Sequence, residues 1–135
     1  EKDLIKKIAI INSLLVEIEN IEKTRLDNKK AKLLNEFNKL NIEIDQNRLE
    51  QEMIYYIEKF DINEELIRLK SHIKLFMETL EPKSPVGKKL GFICQEIGRE
   101  INTIGSKSND SSLQKYVIEM KDNLEKIKEN ILNIL

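Results

Sequence analysis

Two glutamates one helical turn apart, Glu96 and Glu100, are spaced for chemistry in this 135-residue chain. Side chains four apart on a helix lie over one another. Their carboxylates can therefore converge on one divalent cation, or one can act as a base while the other holds a metal. A bare pair of like charges at this spacing costs about 0.2–0.5 kcal/mol and is also an ordinary feature of a solvated face. Arg99 lies on the neighbouring stripe and Lys107 at the helix end, and both suit phosphate oxygens. Each is explained as well by a salt bridge or by the negative end of the helix dipole. Gln95 adds an amide to these faces, and Asn102, Thr103 and Ser106 cluster with Lys107 where the helix stops, where they can orient a sugar–phosphate or cap the turn. His72, the single histidine, shares a face with Glu65, Arg68 and Phe76 on another segment. Its ordinary pKa of about 6.5 suits general acid–base work, although a lone histidine beside an apolar stripe is more often structural.

The element that must position most of these groups reads as one amphipathic helix, because Ile93, Ile97, Ile101 and Ile104 keep the three-and-four rhythm of a buried stripe. Gly91, Gly98 and Gly105 recur every seven residues on one side, which allows close approach of another helix or of a nucleic-acid backbone. Helix packing is the favoured reading, since a mid-helix glycine costs about 1 kcal/mol relative to alanine and needs a reason. Ser84 and Pro85 make a suitable N-cap and first helical position, and the helix should end near Gly105.

Composition puts this helix among others. Four Gly, two Pro and no Trp, with apolar content mostly Leu and Ile, predict an all-α fold: an antiparallel bundle or long helical hairpins. Leu4, Ile8, Ile11, Leu15 and Ile18 alternate steps of four and three, and the seam continues through Leu26, Leu33, Phe37 and Leu40. A break at 41–45, with Asp45 as a cap, precedes a helix through Phe60. Asp61 to Glu64 matches a capping pattern before a third stripe of Leu66, Leu69, Ile73, Phe76 and Leu80. The final helix, capped by Asp110 or Ser111 with Gln114 completing a capping box, carries Leu113, Val117, Met120, Leu124, Ile127, Ile131 and Ile134.

A net charge of −1 gives no global basic signal for nucleic acid, yet residues 81–107 hold more Lys and Arg than Asp and Glu, whereas 41–80 hold fewer. Cys94 is alone and reads as a small buried hydrophobe, which fits a reducing, cytoplasmic setting. The uncharged run Ile8 to Val16 is far shorter than the roughly 18 residues of a membrane span. Zinc-type His/Cys spacing, a Walker loop, a dinucleotide fingerprint and G-x-S-x-G are all absent from the sequence.

Several linked motifs, in order, resemble the C-terminal part of the YicC/YloC family of bacterial endoribonucleases, also described as stress-induced proteins. They are Arg48-Leu-Glu-Gln-Glu52, Asp61-Ile-Asn-Glu-Glu-Leu-Ile-Arg-Leu-Lys-Ser-His72 with Phe76, and Pro85-Val-Gly-Lys-Lys-Leu90. The series continues with Gln95-Glu-Ile-Gly-Arg-Glu-Ile-Asn-Thr-Ile-Gly-Ser-Lys107 and closes with Ile127-Lys-Glu-Asn130 followed by Asn133-Ile134. The resemblance spans roughly residues 20 to 135. It implies that 1–45 is a helical connector from an N-terminal domain outside this sequence and 46–135 the C-terminal family domain. The implied activity is cleavage of internal RNA phosphodiester bonds, assisted by a divalent cation (Mn or Mg), in a homo-oligomeric ring, a hexamer for the full-length protein. The isolated segment is then expected to be inactive.

Carried over by position, Glu96, Glu100 and His72 become the catalytic candidates, with Glu96 and Glu100 also the metal candidates. Arg68, Gln95, Arg99, Asn102, Thr103, Ser106 and Lys107 become the RNA- and phosphate-binding ones. Gly91 departs from an aspartate usual in the family, Gly98 from a frequent asparagine, and Leu135 from a terminal glutamate. Two other readings stand beside this one: an RNA-binding adaptor or chaperone that passes RNA to another nuclease, and a helical oligomerisation module.

Overall fold

The computed structural model describes residues 2–39, 46–80, 87–108 and 110–134. They form five helices: α1 Lys2–Lys39, α2 Gln46–Phe60, α3 Asn63–Leu80, α4 Gly87–Lys107 and α5 Ser111–Ile134. There is no strand among the described residues, so the fold is all-α. The expected caps at Asp45 and Ser84, and position Leu135, lie outside the described residues.

Four of the helices close a bundle in the order α1, α3, α4, α5, each packed on the next and α5 back on α1. Neighbours run antiparallel. Asn130, near the end of α5, donates to Asp3 at the start of α1 (2.7 Å). One groove is lined by Leu26 and Asp27 beside Asn63, another by Asn12 beside Met77, so α1 also descends where α3 rises. The alternating steps of four and three explain the arrangement. Leu4, Ile8, Ile11, Leu15 and Ile18 of α1 and Leu113, Val117, Met120, Leu124, Ile127 and Ile131 of α5 are all buried in one core with Leu66, Leu69, Ile73 and Phe76 of α3. Each such side chain contributes roughly 1.5–3 kcal/mol of apolar burial.

The seam of α1 does not stay buried along its length. Past Arg25 no described residue of α1 is buried, and Leu26 and Leu33 are only half-covered. The helix outlasts the bundle there, and α2 contacts α1 and no other helix to any comparable extent.

The connections differ in detail from the sequence expectation. α4 runs two residues past Gly105, to Lys107. Asp61 Oδ1 accepts from the Asn63 backbone N–H (2.8 Å), and Asp110 Oδ1 from those of Ser112 (2.8 Å) and Leu113 (3.1 Å), so Asp110 caps α5. Gln114 does not close a capping box with Ser111. Its Nε2 reaches back to the Gly105 and Ser108 carbonyls, 2.6 Å each, and satisfies orphan acceptors at the end of α4. A Cβ on Gly98 would meet Leu124 Cδ2 at 3.2 Å, and one on Gly105 would meet Val117 Cγ1 at 3.2 Å. Both glycines therefore serve the approach of α5, whereas Gly91 faces open space.

Candidate functional site on the α3–α4 face

Along the seam of α3 and α4, polar groups interrupt the apolar stripe. Glu65 and Arg68 are three apart on α3, and Glu100 and Lys107 seven apart on α4, so each pair occupies one face of its helix. Antiparallel packing brings the pairs together. Arg68 Nε donates to Glu100 Oε1 at 3.0 Å, and Lys107 Nζ donates to Glu65 Oε1 at 2.8 Å and to the Asp61 carbonyl at 3.3 Å. Arg68 Nη2 also lies 3.5 Å from Glu65 Oε1, and its Nη1 3.6 Å from Glu64 Oε2.

Burial divides this cluster into two layers. The side chains of Glu65 and Glu100 are 4% and 8% exposed, those of Lys107 and Arg68 34% and 47%. Carboxylates lie inside and cations over them. The hydrogen bond that Arg68 donates to Glu100 raises the guanidinium pKa above its already high ordinary value, against partial desolvation and with help from the charges of Glu100, Glu65 and Glu64, so it stays charged. The inner layer is incompletely satisfied: Glu65 Oε2 and Glu100 Oε2 are buried with no hydrogen-bond partner among the described residues.

The remaining candidates are placed less uniformly. The register that sets Arg68 opposite Glu100 puts His72 and Glu96 level with one another one turn further along, with no hydrogen bond between them. His72 is half-buried. Glu96 turns outward to Arg99, 3.8 Å away, so the two glutamates of the stripe face different partners. Gln95 and Asn102 are exposed. The hydroxyls are turned onto their own helix: Thr103 Oγ1 donates to the Arg99 carbonyl (3.0 Å) and Ser106 Oγ to those of Asn102 and Thr103 (3.1 Å each). Their lone pairs stay available, but their protons are committed.

The structure thus joins Arg68, Glu100 and Lys107 into one network and leaves Gln95, Arg99 and Asn102 on the outer surface beside it. It adds Glu65, which sequence reasoning places on the face of Arg68 and His72 without giving it a role. The available signal was a carboxylate three residues before an arginine on a face otherwise bound for the core. No group of three or more His, Cys, Asp or Glu side chains is placed to share a metal among the described residues. Cys94 is fully buried and its thiol is pushed up to about 12 by desolvation, so it is no nucleophile at neutral pH. No described helix is long and apolar enough to cross a membrane.

Comparison with known proteins identifies relatives of the chain. The family profile described as "Endoribonuclease YicC-like, C-terminal" matches residues 18–135. The chain is 38% identical over 136 residues to a protein of Clostridioides difficile (strain 630) named "Probable endoribonuclease YicC", covering 98% of this chain and 46% of that one. It is 34% identical over 127 residues to a protein of the same name from Haemophilus influenzae, covering 92% of this chain and 44% of that one. The chain therefore spans less than half the length of these relatives.

Proposed function

The chain belongs to the YicC-like endoribonuclease family, and from that premise we propose that it is the C-terminal part of a nuclease that cuts RNA at internal phosphodiester bonds. The observation that carries the reading is the two-layered cluster, in which half-exposed Arg68 and Lys107 lie over buried Glu100 and Glu65. Cations held in place at a partly desolvated surface are the groups that stabilise charge as it develops on a phosphate in transfer.

In this reading Arg68, Arg99 and Lys107 neutralise the scissile phosphate, while Gln95, Asn102, Thr103 and Ser106 orient the sugar–phosphate on either side. Glu100 or His72 takes or returns the proton, with Glu96 one turn along. The nucleophile is either the RNA 2′-hydroxyl, leaving a cyclic phosphate, or water, leaving a 5′-phosphate. In this reading Glu100 and Glu96 would hold a divalent cation of the Mg or Mn type. Such ions use one or two carboxylates and complete their shell with water and substrate phosphate, and Glu100 keeps one buried oxygen without a hydrogen-bond partner among the described residues while Glu96 stands half-exposed nearby. When bound there the ion would supply Lewis-acid stabilisation of phosphate charge. The full-length protein would work as a homo-oligomeric ring, a hexamer, together with its N-terminal domain.

A second reading draws on the same contacts. Arg68–Glu100 and Lys107–Glu65 tie α3 to α4, which an RNA-binding adaptor or an oligomerisation module would also need. The experiment compares full-length wild type with Glu100→Gln on a hairpin RNA, with and without Mn²⁺ or Mg²⁺. Cleavage by wild type and a loss of about 100-fold or more in the variant are expected. Unchanged cleavage would remove Glu100 from the mechanism, and RNA binding without cleavage by wild type would favour the adaptor.

A further inference from the structure

We infer that Glu65 is a positioning residue, whose single oxygen Oε1 holds the Lys107 ammonium and the Arg68 guanidinium side by side as a clamp for one phosphodiester. This deepens the RNA-cleavage reading and rests on it. Lys107 Nζ is 2.8 Å and Arg68 Nη2 3.5 Å from that one atom, so the two nitrogens are no farther apart than those distances laid end to end. Such a span suits two oxygens of a single phosphate group, or its two flanks.

Three features separate this arrangement from an ordinary structural ion pair. The first is how the carboxylate is used. In α1 the buried Glu22–Arg25 pair spends both glutamate oxygens on one guanidinium, 2.7 and 2.9 Å, the geometry expected of a contact made for its own strength. Glu65 instead directs two different cations to one oxygen and leaves the other without a hydrogen-bond partner among the described residues. The second is layering. Glu65 is nearly fully enclosed while both cations keep solvent-facing surface, so a ligand can reach them from outside without displacing what holds them. The third is redundancy at Lys107. The Asp61 carbonyl, at 3.3 Å, is a second anchor from just before α3, and the ammonium has three donors, one more than these two anchors use.

A buried carboxylate beneath an anion site repels the anion as it orients the cations. Its removal therefore should not weaken RNA binding, only loosen the geometry in which the phosphate is held. The expected result for full-length Glu65→Gln is an RNA Kd within about threefold of wild type, or tighter, together with a fall in kcat of about tenfold or more, since small misplacements at a reacting centre are costly. Glu65→Asp keeps the charge but shortens the reach, and it should show the same split, which covers the case in which the glutamine variant does not fold.

Because Glu65 acts in large part through Lys107, whose contact is the shorter, Glu65→Gln and Lys107→Met together should slow cleavage clearly less than the product of their separate losses, a non-additive cycle. Additive losses, a full rate in Glu65→Asp, or a weaker Kd with unchanged kcat would overturn the inference while leaving the nuclease reading intact. A full-length wild type that does not cleave RNA would overturn both.

Discussion

Single residues show where local preference and surroundings agree or part. Gly91 sits inside α4 with nothing within 4 Å of where a Cβ would be, so the helix bears the entropy of a glycine without a packing return. Gly91→Ala should stabilise the protein by about 0.5–1 kcal/mol, read as a higher urea midpoint at unchanged slope. Gly98 lacks that freedom, because a Cβ would press on Leu124. Glu96 and Glu100 part in a similar way. Their spacing was legible in the sequence as a shared stripe, but what separates them is the neighbour: α3 covers Glu100 and supplies Arg68, while Glu96 stays outward with Arg99. Periodicity places a residue on a face of its own helix and says nothing of which side chain the next helix presents there. Glu65 went without a role for that reason, its decisive partner lying 42 residues away.

At the scale of elements, the stripes of α1, α3, α4 and α5 were readable because Ile and Leu recur at steps of three and four with few exceptions, and each helix contributes to the core, α1 only as far as Ile18. The helix ends were less readable, since a terminus is settled by whichever acceptor arrives. Gln114 looks like the last member of a local capping box, yet from α5 it serves two carbonyls at the end of α4. Gln114→Ala should therefore cost about 1–3 kcal/mol, through two lost hydrogen bonds at a partly buried turn. In hydrogen exchange the loss should appear in the last turn of α4 as well as at the substituted position. A loss of protection confined to α5 would contradict the inter-helix role.

For the whole molecule, the first half of α1 is integral to the bundle and the second half is not. The core takes in Leu4 to Ile18 together with α3, α4 and α5, whereas Leu33 lies on a stretch with no buried neighbour on α1. Ile11→Ala should cost about 2–5 kcal/mol in chemical unfolding, while Leu33→Ala should stay below about 1 kcal/mol. Equal effects would mean that the seam is supported along its full length. A bundle core built so largely from Ile and Leu invites alternative alignments, because sliding one helix by seven residues would re-match stripe with stripe at little loss of apolar contact. The two ionic links across α3 and α4 remove that degeneracy. After such a slip Glu100 would be enclosed without Arg68 and Glu65 without Lys107, and stranding a buried charge costs several kcal/mol. The charges of the candidate site thus act as a vernier on the bundle, and the same pairs that would meet a phosphate select one helix alignment among near-equals.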